Sequence, residues 1–137
     1  MKKEKITLEY PLGTASQSIL WDAISTPLGL AEWFAETVSV EDNKYTFSWE
    51  GGTEQVAYLC KLRYNEYVRF QWENDYGSEY YFELRIAVQE LVGDVAIIIT
   101  DFAEEDEEED VELLWNKQMR DFKRKYGLQE HNSPSTV

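Results

Sequence analysis

Aromatic side chains at two-residue spacing are the feature of this sequence that points most directly to chemistry. Phe47 and Trp49, then Phe70 and Trp72, then Phe82 alternate with polar neighbours, so each group shares one face of an extended segment. Further on, Trp115, Gln118, Met119 and Phe122 recur at the three- and four-residue spacing of one helix face. With Tyr58 these residues form a candidate ligand-binding set, because small-molecule cavities are mostly apolar with a few well-placed polar groups. Tyr58 and Gln118 would supply those groups. The same rings also suit a filled core, since aromatic side chains bury large areas against one another.

The other reactive residue types carry less. The run Glu104–Asp110 is entirely acidic. Carboxylates bind hard cations, but here no glycine turns the chain back around an ion. The run also precedes a helical pattern whose far end carries Lys123, Arg124 and Lys125. Acid at a helix start and base at its end both favour the helix dipole. A docking patch for a basic partner is a third use. Carboxylate pairs for acid–base work would come from Glu54, Glu73, Glu83 and Asp101, with Glu54 and Asp101 at strand ends, where they would line a cavity mouth. His131, the sole histidine, falls in a polar terminal segment, so a Ser–His or Cys–His pair inside a cavity has no support. Cys60, the sole cysteine, reads as a small apolar core residue and forms no internal disulfide. Phosphate-loop and dinucleotide motifs are absent. No metal site and no cofactor are expected.

The elements that must position these residues follow from period and punctuation. Residues 6–10 alternate as a strand and end at Pro11 and Gly13. Thr14 or Ser16 caps a helix with Ile19, Leu20, Ala23 and Ile24 on its apolar face. Thr26-Pro27 starts a second short helix carrying Leu28, Leu30, Ala31, Trp33 and Phe34. Then come strands around Val38, Tyr45–Trp49, Val56–Leu62, Val68–Trp72, Tyr80–Val88 and Val95–Ile99. Val56, Tyr58, Cys60 and Leu62 form the inward face of the third of these. The connections are short, as antiparallel neighbours require. Val95–Ile99 is apolar on both faces, so either Asp101 or Thr100 continues its inward set. A long helix runs from about Glu107 to Tyr126, with a stripe of Val111, Leu114, Trp115, Gln118, Met119, Phe122 and Tyr126, and with Gly127 past its end. The expected fold is α+β. A curved antiparallel sheet of about seven strands carries two short helices, and the long C-terminal helix lies across its concave face. Residues 1–128 form one domain, and residues 129–137 a disordered tail.

Composition excludes several partners. The formal charge of −14 repels nucleic-acid phosphates and anionic membrane surfaces. No apolar run approaches the ~20 residues of a membrane span, and the basic N-terminus leads into no signal-peptide core. A cytoplasmic protein is expected.

The chain resembles the START-like (helix-grip, SRPBCC) superfamily over roughly Lys5 to Gly127. Residues 26–34, Thr-Pro-Leu-Gly-Leu-Ala-Glu-Trp-Phe, look like the second-helix signature of the activator-of-heat-shock-ATPase-homologue branch, and Val68–Trp72 looks like its strand ending in Trp. Where that branch usually has a His near the end of the last strand, this chain has Thr100-Asp101-Phe102. The resemblance implies the helix-grip fold. Lipid and steroid carriers, hormone receptors, polyketide cyclases, oxygenase domains and co-chaperones share that fold, which does not choose among them. Three functions follow. The first is a non-enzymatic domain holding a small apolar or aromatic ligand between sheet and helix. The second is a protein-interaction or co-chaperone-like module, a homodimer included, that uses the acidic surface. The third is a cofactor-free enzyme on the same scaffold.

Overall fold

Strand β1 occupies Glu4–Gly13 of the computed structural model, which describes residues 2–128. The predicted terminal tail and His131 lie outside the described residues. Helices α1 (Gln17–Ser25) and α2 (Pro27–Trp33) follow. Six strands come next: β2 (Thr37–Glu41), β3 (Lys44–Ser48), β4 (Glu54–Arg63), β5 (Tyr67–Trp72), β6 (Phe82–Gln89) and β7 (Asp94–Ala103). Helix α3 (Glu108–Lys125) ends the sequence of elements. Each strand from β2 to β7 pairs antiparallel with the next, and β1 closes the far edge beside β7. The architecture is α+β, a seven-stranded antiparallel sheet with the long C-terminal helix on its inner face. Among the described residues no helix is long and apolar enough to cross a membrane.

Local chemistry sets the helix boundaries. The Ser16 hydroxyl accepts a hydrogen bond from the Ile19 amide and caps α1. Thr26 serves both helices: its hydroxyl donates to the Asp22 carbonyl at 2.8 Å and accepts from the Gly29 amide at 2.9 Å, with Pro27 at the first helical position. Helix α3 has Glu108, Glu109 and Asp110 in its first turn and Lys123, Arg124 and Lys125 in its last, the arrangement that complements its dipole. The acidic run is thus a turn of 3-10 helix and the exposed start of α3. Gly127 takes φ 69°, and the Leu128 amide closes back on the Lys123 carbonyl at 2.7 Å.

The helix faces are narrower than expected. Ile19 is 52% and Leu28 82% exposed, while Trp21 and Gly29 are buried in their place. The reason is the tight α1–α2 crossing, which turns Gly29, not Leu28, towards Asp22 and Ala23. On α3 Trp115, Met119 and Phe122 are buried, Val111 and Tyr126 pack half-buried against the core at either end, and Leu114 faces solvent.

Register decides the strands. Phe47 pairs with Gln55 and Tyr45 with Ala57, and Ala57 and Leu59 in turn face Trp72 and Phe70. Directly opposed residues share a face. The inward set of β4 is therefore Gln55, Ala57 and Leu59, and the expected set Val56, Tyr58 and Cys60 points outward. The sequence of β4 is apolar at both phases, so its pattern alone did not distinguish them. Ala57 is fully buried there, opposite Tyr45 on one side and Trp72 on the other. A register shift between Leu59 and Lys61 then bends the strand end, where Leu62 is exposed. Cys60 is exposed rather than in the core, where its thiol donates to the Arg69 carbonyl at 3.4 Å. In β7, Val95, Ile97 and Ile99 face the core, so Asp101 rather than Thr100 continues the inward set.

Candidate functional site

Half of the expected ligand-binding rings, together with Met119, are the core itself. Phe47, Phe70, Phe82, Met119 and Phe122 are fully buried. Phe70 stacks on Phe82 at 5.2 Å between centroids, Phe47 meets Phe70 edge-on at 6.1 Å, and Phe122 meets Trp33 edge-on at 5.1 Å. Offset and edge-on contacts of this kind fill space and leave no void. These rings fill the middle of the gap between sheet and helix, and a groove of about 560 Å³ runs beside them between β1 and α3, lined by Tyr10, Asn116 and Met119.

At one end the gap stays open. A cleft of about 340 Å³ lies there, walled by Trp49, Trp72 and Trp115, with Phe34 beneath and Leu114 at its rim. Gln55, Gln118 and Asp101 are its polar lining. Four of the ten expected residues therefore meet at this cleft: Trp49, Trp72, Trp115 and Gln118. Tyr58 does not; it lies on the outer face, 4.8 Å from the Tyr76 ring.

Backbone carbonyls at the end of α2 hold the cleft in shape. A helix terminus leaves carbonyls without helical partners. The Phe34 carbonyl accepts from Trp49 Nε1 at 2.8 Å and from Gln118 Nε2 at 3.2 Å. One atom thus ties α2, the end of β3 and α3 together. The Asp101 carboxylate performs the same task between β7 and α3: its Oδ2 accepts from Trp115 Nε1 at 2.8 Å and its Oδ1 from the Phe102 amide at 2.7 Å. Burial pushes the Asp101 carboxyl above the ordinary carboxylate range, while these two donors and the charge of Lys3 pull it back.

That shift has a testable sign. A carboxyl raised on folding binds its proton more tightly in the native state, so its contribution to stability falls as pH rises from the usual Asp value through the native one. Asp101→Asn removes this contribution. The melting temperature of the wild type relative to D101N is therefore expected to decline with rising pH across that window and to be flat above it. A constant difference across the acid range would mean that Asp101 titrates normally.

The other carboxylates have structural partners: Glu54 accepts from the Ser48 hydroxyl and Glu73 from the Tyr58 hydroxyl, each at 3.4 Å. Glu83, 5% exposed on the outer face, accepts from Arg69 at 2.8 Å and from Arg85 at 2.9 Å. Those guanidinium groups lie over the rings of Tyr81 and Tyr67 at 4.1 and 4.3 Å. Glu54 and Glu73 are exposed, and neither lines the cleft. The position expected for Glu54 belongs to Gln55, one residue on, because Gln55 is the partner of Phe47. Phe34 and Gln55 were absent from the sequence-based ligand set. Phe34 is apolar like its helix neighbours, with nothing local to mark it as a cleft floor. Gln55 was recoverable only from the cross-strand register. Among the described residues no group of three or more His, Cys, Asp or Glu side chains is placed to hold a metal ion.

A meandering antiparallel sheet gripping a C-terminal helix, with an aromatic cleft at the open end of the grip, defines a helix-grip protein. The chain belongs to the START-like superfamily, whose domain pattern matches residues 1–127. BfR322 from Bacteroides fragilis, a solution NMR structure, is 44% identical, with 96% of each chain covered and a TM-score of 0.67. The Aha1 dimer from Colwellia psychrerythraea superposes with a TM-score of 0.72 at 16% identity, covering 90% of this chain and 96% of that one. DynU16, a putative protein in the dynemicin biosynthetic locus, superposes with a TM-score of 0.71 at 12% identity, covering 88% of this chain and 46% of that one. The last two likenesses show the fold alone. No functionally curated protein matches the chain.

Proposed function

We propose that this chain is a small-molecule binding domain whose ligand occupies the cleft at Trp49, Trp72 and Trp115. The observation that carries this reading is the contrast within one gap: the aromatic core is packed shut, yet three indoles and three polar side chains surround about 340 Å³ at its end. That volume is at the small end of the range for ligand sites, about 300–1,000 Å³. It fits a ligand with a single flat or compact apolar body and one or two polar groups. The cleft also exposes apolar ring surface that water solvates poorly, and a ligand would cover it.

Native mass spectrometry of gently purified protein is the direct test. The expected result is an extra mass that is lost on denaturation. Leu114→Trp, a change at an exposed rim position, should fill the cleft without touching the core and purify bare. In parallel, the neutral dye N-phenyl-1-naphthylamine is expected to quench tryptophan emission in the wild type, with about tenfold weaker binding in L114W, the scale of losing one buried ring contact. A bare wild-type mass together with no response to the dye would defeat the reading. The same spectrum reports oligomeric state. Self-association is the second reading, favoured by the dimer described for the Colwellia protein and by Leu91 and Val92, which stand exposed at the β6–β7 turn.

A further inference from the structure

We propose that the cleft selects a cationic ligand, a protonated or quaternary ammonium on an apolar body, with the ammonium held by the Asp101 carboxylate among the surrounding indoles. The proposal rests on the binding reading above and names the class of ligand.

The charge of the lining is its first support. Asp101 is the single charged side chain among the residues that form the cleft wall, and no Lys or Arg is among them. An anionic ligand would meet a carboxylate there, whereas the cations Lys117, Arg124 and Lys125 line the adjoining groove along α2 and α3 and not the cleft wall. A cation meets a carboxylate of opposite charge in the lining, and charge-assisted contacts are the stronger ones. Each Asp101 oxygen accepts one bond from within the protein, the Trp115 indole on Oδ2 and the Phe102 amide on Oδ1. A carboxylate has about four acceptor sites, so capacity remains for the N–H of a protonated amine, while a quaternary ammonium, which has no N–H, would be held by the charge and the indole faces alone. Lys3, the cation that acts on Asp101, is already committed. It pairs with Asp75 at 3.3 Å and lies 5.2 Å from the centre of the Tyr80 ring.

The aromatic wall is the second support. Indole faces attract cations through their quadrupole, more strongly than other rings do, and several rings around one site form the cage that recognises quaternary ammonium groups. Trp49, Trp72 and Trp115 supply three indoles at this cleft. A third support is long-range: a formal charge of −14 draws cations towards the surface before any contact forms. Burial raises the cost of the negative charge on Asp101, and a positive group docked beside it offsets that cost.

The test compares two probes of the same shape. Benzyltrimethylammonium and neopentylbenzene differ only in a charged nitrogen for a neutral carbon. Tryptophan fluorescence and calorimetry at low ionic strength are expected to show the ammonium binding about tenfold more tightly, against its own greater hydration. In Asp101→Asn, which keeps an acceptor for Trp115, the two affinities should converge. Gln55→Lys, a change at an exposed lining position that leaves the core alone, should turn the preference towards the neutral probe. Neopentylbenzene binding as well as or better than the ammonium in the wild type would overturn the cationic class and leave the binding site standing. A preference that survives in D101N and Q55K would assign the selection to the overall field and overturn the role of Asp101. No response to either probe would remove both this proposal and the site.

Discussion

Gly29→Ala is expected to destabilise the protein by about 3 kcal/mol or more, a large share of the roughly 5–15 kcal/mol that holds a domain folded. A Cβ at this position would stand 2.1 Å from the Asp22 carbonyl oxygen and 2.8 Å from the Ala23 Cα. Both are backbone atoms, so no side chain can swing aside. The same Asp22 carbonyl accepts the Thr26 amide at 3.2 Å and the Thr26 hydroxyl at 2.8 Å, so moving it also loosens the cap of α2. Helix propensity works the other way, because alanine is worth about 1 kcal/mol over glycine inside a helix. The clash wins, since relieving it means separating α1 from α2 and unpacking Leu20, Ile24 and Leu30, all fully buried. Denaturant midpoints will check this, with Leu28→Ala as the control. Leu28 is next in sequence but exposed, and its replacement should cost no more than about 0.5 kcal/mol. A G29A midpoint equal to the wild type would mean that the two helices cross with more room than described.

Phe34→Ala should cost about 3–5 kcal/mol, the range for removing a buried phenyl ring. Its ring is the junction of the core and the cleft. It stacks on Phe82 and Trp115, each at 5.8 Å, and meets Phe47 edge-on at 5.0 Å. Trp33 and Trp49 meet it edge-on at 5.6 and 5.8 Å. The backbone role survives the change, because the Phe34 carbonyl and not its ring holds Trp49 and Gln118. The variant should therefore keep its fold and its cleft walls while gaining an apolar void under the cleft floor. Apolar voids of ring size stay dry and accept small hydrocarbons. Saturating benzene is expected to recover part of the lost stability in F34A and to stabilise F34A more than it stabilises the wild type, by simple binding linkage. A loss below about 1 kcal/mol would mean that neighbouring rings collapse into the space. A loss without benzene rescue would mean that the fold around the void had given way.

Much of this protein is determined by local sequence. Strict alternation in Tyr45–Trp49, Val68–Trp72 and Phe82–Ile86 placed one apolar set on one face, because side chains of a strand point alternately and water decides which set is buried. Gly51-Gly52 and Gly93 punctuate the chain where positive φ is needed, at 93°, 89° and 77°. The stripe of Trp115, Met119 and Phe122 required a partner surface, and a meander with one apolar face is the surface available. Hence the element order, the antiparallel sheet and the helix across it were legible from the residues alone.

What tertiary structure decided is which aromatic residues pack and which remain open, and that distinction locates the candidate site. Phe47 and Trp49 have the same local pattern, yet the first is sealed by Phe34 and Phe70 while the second stands at the rim. Strand β4 offered apolar residues at either phase, and only its pairing with β3 and β5 turned Gln55 and Ala57 inward and Tyr58 out. Asp101 acquired its place because the doubly apolar β7 has its phase set by β1 and β6, and because the Trp115 indole reaches it from α3. Spacing along the chain reports which side chains share a face. Volume, register and the reach of a distant hydrogen-bond donor are properties of several elements at once, and no single stretch of sequence contains them.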